Sequence, residues 1–314
     1  MWKRKLHILP YIWMRPLCLI IRKFEILSPL KVIDPGSSDT NNFLDRIQTH
    51  LTFLDEEKTF GESNLQKMGI PIGSSFVCLF VRDSAYLAEL YKDCYSYHNY
   101  RNADIQNFAL VAYELAERGF YVIRMGAKVS KAFMVDHPKV IDYAWNGMRS
   151  DFMDIYLSAK CDFAISTGTG ICEVSRIFRR PMVYVNISPI IGIQISRKEF
   201  FILYKMHVRI KDGKELTQNE IFESGVGDAS TSDDFERKGV KLIENTPEEI
   251  RDVSIEMVEC IKGSWESTEI DESLQKRFRA NFSKWANPKE PIYYGELRAQ
   301  YSTHFLRNNS WWLD

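Results

Sequence analysis

The chain has 314 residues, with 41 lysines and arginines against 42 aspartates and glutamates, and is 45% hydrophobic and 26% charged. That length allows one large domain or two ordinary ones, with a core that needs no disulfide or metal staple. The composition excludes a disordered, collagenous or coiled-coil chain, and the lack of net positive charge argues against a dedicated nucleic-acid binder.

Basic side chains gather only at the start. Residues 1–31 carry Lys3, Arg4, Lys5, Arg15, Arg22, Lys23 and Lys31 against the single acid Glu25, interleaved with Trp2, Leu6, Ile8, Tyr11 and Trp13. The longest uncharged run, Leu6–Met14, is far shorter than the ~20 residues that span a bilayer, and no small-residue cleavage site follows it. Two readings fit: an amphipathic first helix packed on the core, or a segment lying on an anionic membrane face, with Pro10 and Pro16 interrupting any single long helix. The cysteines, Cys18, Cys78, Cys94, Cys161, Cys172 and Cys260, form no CxxC pair and no zinc-spaced cluster, which suits a reducing, cytoplasmic compartment.

From Ser75 onward, short apolar runs alternate with amphipathic stretches, as in βαβ units. Phe76–Val81 reads as a buried strand, and Asp104–Arg118 as a helix capped by Asp104 and stopped by Gly119. Phe120–Arg124 is the next strand, Asp151–Ala159 a short helix, and Asp162–Ser166 a third strand. The turn Thr167-Gly-Thr-Gly170 opens a helix from Ile171 to about Phe178, and Pro181–Asn186 is a fourth strand. The fold class expected is α/β, a doubly wound parallel sheet. Beyond Asn186 the pattern is less regular. Asp228–Glu236 reads as an acidic surface loop. Thr246-Pro-Glu-Glu249 is a strong helix start, and the helix should run to about Ile261 with Ile250, Val253, Met257, Val258 and Ile261 facing inward. The aromatic end of the chain, with Tyr293, Tyr294, Tyr301, Phe305, Trp311 and Trp312, should dock across the body.

In an open parallel sheet, ligands bind beyond the carboxyl ends of the strands. The residues there are Arg82-Asp83, Arg124-Met-Gly126, Ser166-Thr-Gly-Thr-Gly170 and Asn186-Ile-Ser188, rich in arginine, glycine and hydroxyls. Ser166, Thr167, Gly168, Thr169 and Gly170 leave a strand for a helix, so exposed amides and the helix dipole favour a phosphate or diphosphate. Glu173, one turn on, suits ribose hydroxyls, and Arg124 suits a diphosphate clamp through its forked donors. Between the first strand and its helix, Asp93-Cys-Tyr-Ser-Tyr-His-Asn-Tyr-Arg-Asn102 offers aromatic faces for a sugar or base, Arg101 for an anion, and Asn102 and Arg82 beside it. No nucleophile elbow, HExxH or DxD triad is present, so no metal is assigned.

The blocks Phe76-Val-Cys-Leu-Phe-Val-Arg-Asp83, Tyr100-Arg-Asn-Ala-Asp-Ile105, Gly119-Phe-Tyr-Val-Ile-Arg-Met-Gly126, Cys161–Gly170 and Asn245-Thr-Pro-Glu-Glu-Ile250 resemble a family of bacterial glycosyltransferases found in surface-polysaccharide clusters. The Ser-Thr-Gly-Thr-Gly turn with its helix and the following Arg-Pro strand also looks like the donor domain of GT-B glycosyltransferases such as the heptosyltransferases. The resemblance implies a Rossmann-like donor domain over about residues 73–265, preceded by a reduced acceptor-side region at 1–72 and followed by a docking tail at 266–314. It implies that Ser166–Gly170 and Arg124 hold the diphosphate of a nucleotide sugar, that Glu173 reaches the ribose, and that no bound metal or other cofactor is needed. An acceptor hydroxyl, on a glycan or lipid-linked carrier, would attack the anomeric carbon while Asp83, with Asp93 and His98 behind it, takes the proton. Two alternatives keep the same fold: a non-catalytic nucleotide-sugar-binding scaffold, and an enzyme akin to nucleotide-sugar 2-epimerases.

Overall fold

Apolar runs buried on both faces form parallel strands, because such strands need no alternation of polar and apolar side chains. In the computed structural model the described residues are 39, 43–91, 96–190, 197–286 and 297–314. Residues 1–31, with their membrane-surface reading, and Cys18, Asp93, Cys94, Tyr293 and Tyr294 lie outside them. The strands are β1 (Phe76–Phe80), β2 (Tyr121–Met125), β3 (Val140–Ile141), β4 (Phe163–Ser166), β5 (Met182–Ile187), β6 (Phe200–Tyr204), β7 (Met206–Arg209), β8 (Val240–Ile243) and β9 (Gln300–Tyr301). Seven of them build one sheet in the order β3-β2-β1-β4-β5-β6-β9, parallel at every pairing, while β7 and β8 form an antiparallel pair. The order of the first six is that of Rossmann-like α/β folds, with its switch point between β1 and β4.

The helices follow local rules that the sequence only partly displays. Pro247–Lys262 starts at the box formed by Thr246 and Glu249, whose side chains each accept the other's backbone N–H at 3.2 and 2.9 Å, and ends on Gly263 in the left-handed region. It buries Ile250, Val253, Met257 and Val258, but Ile261 in its last turn is exposed. The Asp104–Arg118 stretch begins as a 3₁₀ turn, Ile105–Phe108, capped by Asp104 accepting from Gln106 N at 2.8 Å, and becomes α-helical only over Ala109–Glu117. The acidic Asp228–Glu236 segment is not a loop throughout. Ser232–Arg237 is a helix, since Thr231 and Asp234 make a capping box in which aspartate replaces the usual glutamate, and Phe235 anchors it by burial.

Ser37–Asp314 is one compact unit, so the sheet's body extends beyond residues 73–265 in both directions. Ahead of β1, Phe53 stacks on Phe178 at 5.6 Å, and helix Asp55–Lys67 meets helix Asp151–Lys160 so closely that a Cβ on Gly61 would lie 2.3 Å from the Tyr156 ring. At the other end β9 pairs with β6, and Tyr301 stacks on Trp312 at 4.8 Å. Among the described residues there is one large sheet and no second, facing α/β half. No helix among them is long and apolar enough to cross a membrane.

Candidate functional site at the sheet switch point

At the carboxyl ends of β1 and β4 the chain leaves in two directions, and a cavity of about 570 Å³ opens there. Arg82 and Asp83 enter it from β1, Gly126 and Lys128 from β2, and Thr169 and Gly170 from β4. Arg149 and Asp154 close the far wall.

The turn after β4 divides its labour. Ser166 is fully buried and its Oγ accepts from Gly168 N at 3.0 Å, while Thr167 Oγ1 accepts from Arg82 N at 2.9 Å and Thr167 N donates to Phe80 O. These two hydroxyls build the turn and lock β4 to β1. Gly168 takes φ +78°, a region an L side chain rarely enters, and its carbonyl accepts from Arg101 Nη2 at 2.7 Å. Thr169 and Gly170 face the cavity, and Thr169 Oγ1 is buried without a hydrogen-bond partner. The helix that follows, Cys172–Ile177, has only 6 residues, so its dipole adds less than the sequence reading assigned to it.

Charge at the site is lopsided. Arg82 and Arg101 are half-buried neighbours, and neither forms an ion pair among the described residues; the Nε of each is buried without a partner. Burial, and then the Arg101 charge, lower the pKa of Arg82. His98 is lowered by burial and by the same two arginines, which favours its neutral form. Lys205, almost fully buried, donates to Asn102 O at 2.5 Å and is lowered by burial. Asp83 and Glu244 offset Arg82 and Lys205 in part, and the cations gathered in low dielectric still outnumber the acids, which suits an anion.

Other sequence-derived candidates have internal duties. Arg124 does not line the cavity: it is 1% exposed, with Nη1 donating to Lys131 O at 2.6 Å and to Asp142 Oδ2 at 3.2 Å. It anchors the 126–133 loop rather than clamping a diphosphate, because Asp142 already neutralises it. Glu173 also stays off the cavity wall and pairs with Arg176 at 2.7 Å, so its ribose role is not supported. Asp83 does line the cavity, yet it accepts from Ala85 N at 2.9 Å, Ser130 N at 2.8 Å and Ser130 Oγ at 3.1 Å. That makes it a brace between β1 and the 126–133 loop. A Cβ on Gly126 would meet Val129 Cγ1 at 2.8 Å, so the glycine lets this loop fold tightly over the cavity. Asn102 bonds to Asn99 and presents its carbonyl to Lys205.

Sequence reasoning missed Arg149 and Asp154, which lie in and just before the helix Asp151–Lys160 rather than at a strand end. Ser150, the N-cap accepting from Met153 N at 3.2 Å, was the local signal that a helix start sits there. No protein-family model, no curated protein and no solved structure matches this chain.

Proposed function

We propose that the protein is a glycosyltransferase that binds a nucleotide sugar at the β1/β4 switch point and passes the sugar to a hydroxyl of a polysaccharide or lipid-linked acceptor. The observation that carries this reading is the Arg82–Arg101 pair, without an ion pair among the described residues, beside the Thr169–Gly170 turn, at the place where Rossmann-like sheets bind phosphorylated ligands. The resemblance of the sequence blocks to surface-polysaccharide glycosyltransferases, and more distantly to GT-B donor domains, supplies the reaction class. In this reading the acceptor oxygen forms a bond to the anomeric carbon as the bond from that carbon to the diphosphate breaks. Arg82, with Arg101 behind the Gly168 carbonyl, stabilises the charge on the departing diphosphate. The acceptor proton goes to a base, for which neutral His98, within the field of Arg101 and Arg82, is the candidate, Asp83 being occupied as a brace.

Calorimetric titration with UDP, GDP, CMP and ADP tests the reading. One nucleotide of the panel should bind with micromolar affinity, and Arg82→Ala should weaken it by at least tenfold. Failure of the whole panel to bind would sink it. A second reading on the same fold is a scaffold that binds a nucleotide sugar without turning it over. Nucleotide binding with no product from any acceptor-bearing extract would select that alternative.

A further inference from the structure

Arg82 lines two hollows. Besides the large cavity it borders a small pocket of about 120 Å³, together with Ser84 from the same stretch of chain and Ser96, Asn99 and Asn102 from the 3₁₀ turn Ser96–Arg101 and its end. The two hollows share Arg82 and Leu87, so they adjoin. The lining of the small one is one-sided. Among the described residues, the Ser84 and Ser96 hydroxyls and the Arg82 guanidinium form no hydrogen bond, and no carboxylate borders the pocket; Asp83 lines only the larger cavity. Two acceptors that would compete for these donors are already taken: Asn99 Oδ1 accepts from Asn102 Nδ2 at 3.2 Å, and Asn102 O accepts from Lys205 Nζ at 2.5 Å. The turn is also fixed from behind. Ala103 N donates to Arg82 O at 3.0 Å, Arg101 Nη2 to Gly168 O at 2.7 Å and Ser232 Oγ to Tyr97 O at 3.2 Å, while the Tyr100 ring packs 5.1 Å from that of Phe235. A wall pinned at so many points holds its donors in place before a ligand arrives, which lowers the ordering cost of binding.

We infer that the small pocket is a phosphoryl subsite, which takes a doubly charged phosphate group. The oxygens of such a group only accept, and guanidinium, hydroxyl and amide N–H groups all donate to them. A carboxylate brings two oxygens to the donors of Arg82, Ser84, Ser96 and Asn99; a phosphoryl group brings three. The volume is about a fifth of the 570 Å³ next door and lies below the roughly 300 Å³ at which pockets hold a drug-sized molecule, so a phosphate enters while a nucleoside or a sugar ring stays in the larger cavity. One consequence rests on the glycosyltransferase reading above. In a nucleotide sugar the distal phosphate is esterified by the sugar and carries one charge; it becomes a doubly charged terminal group only when the bond to the anomeric carbon breaks. The subsite therefore meets charge as it develops, and it holds the nucleoside diphosphate product more tightly than the donor.

The experiment is a titration followed by phosphorus NMR at pH 8, where a phosphate monoester, with a second pKa of about 6, is doubly charged. The probes are methyl phosphate, dimethyl phosphate and inorganic phosphate, and the proteins are the wild type and the double variant Ser96→Ala, Asn99→Ala, two exposed positions. Methyl phosphate should bind the wild type at least tenfold tighter than dimethyl phosphate, a comparison that needs no variant to fold, and the double variant should lose at least tenfold for methyl phosphate. Equal affinity for the monoester and the diester, or equal affinity of the two proteins for the monoester, overturns the assignment. A nucleotide from the panel UDP, GDP, CMP and ADP that binds at least tenfold tighter than inorganic phosphate, and loses that advantage in the double variant, identifies the group as the nucleotide's own; affinity no better than inorganic phosphate identifies the free ion and removes the product-holding consequence. If methyl phosphate behaves as described but no nucleotide of the panel binds, the subsite stands and the nucleotide-sugar reading falls. If a nucleotide binds both proteins alike, the subsite falls and the reading stands.

Discussion

The switch-point cavity and the seam where the chain end docks are both polar and largely buried, yet they treat their polar groups differently. In the seam, Asp271 receives both forks of Arg307 at 2.6 Å, and Gln275 exchanges bonds with Tyr301 O and Tyr301 N at 2.6 and 3.1 Å. In the cavity, Thr169 Oγ1 and the Nε atoms of Arg82 and Arg149 have no partner. A seam that only holds the fold satisfies its donors and acceptors; a binding surface leaves them for the ligand. One seam group breaks the pattern. Glu256 is buried, bonds through Oε2 to Thr303 N at 3.0 Å, and keeps Oε1 unpartnered.

Removing polar groups should therefore destabilise the seam and spare or stabilise the cavity. The largest effect expected is from Asp271→Ala, which strands Arg307 and uncaps the helix Glu269–Ala286; urea denaturation should show a loss of about 3 kcal/mol. An unchanged midpoint would mean that the seam pair contributes nothing.

Glu256 gives the next. Burial raises its pKa to about 7, against the opposing pull of the Thr303 side chain, the Thr303 and His304 amides and Arg307. A raised carboxyl pKa means that the folded state holds the proton more tightly than the unfolded one. The contribution of Glu256 to stability is thus greatest below about pH 4.5 and falls as pH rises toward 7. Glu256→Gln should be more stable than wild type at pH 8, by up to about 3 kcal/mol, and equal to it near pH 4. A difference that is the same at both pH values would show that the charge is not its origin.

At the cavity, Arg82→Met should leave stability unchanged or raise it by about 0.5–1 kcal/mol, since two neighbouring cations lose their mutual repulsion, while weakening the proposed nucleotide binding by at least tenfold. A marked fall in Tm would make Arg82 part of the framework. The smallest effect is a rise of a few degrees in wild-type Tm in millimolar pyrophosphate, by mass action on the folded state, that Arg82→Met lacks. Equal rises in both proteins would place the anion elsewhere.

Much of the scaffold was legible because it is local. The run Phe76-Val-Cys-Leu-Phe80 and the Thr246–Glu249 box carry their own instructions in neighbouring residues, and the strands and helix formed where those signals lay. The run Phe200-Phe-Ile-Leu-Tyr204 is equally apolar and forms β6, although the pattern beyond Asn186 is less regular. The Thr231–Asp234 box was hidden by an aspartate in the glutamate position. The site was less legible. Arg82 and Arg124 both sit at the carboxyl ends of adjacent strands, and no local pattern separates the one that lines the cavity from the one buried against Asp142, 18 residues away.

By itself the sequence determined that this chain forms short parallel strands with capped helices between them, and that arginines, glycines and hydroxyls gather at the strand ends. Periodicity, capping and turn chemistry act over a few residues, so they can be read in one dimension. Only the tertiary structure decided the strand order that opens the cavity between β1 and β4, and the addition of the chain end as a seventh strand. It alone decided which arginines meet an acid and that Arg149 and Asp154 join the cavity wall. Those outcomes depend on burial and on partners far apart in the chain, where the cost of an unpaired group is set by what folds against it.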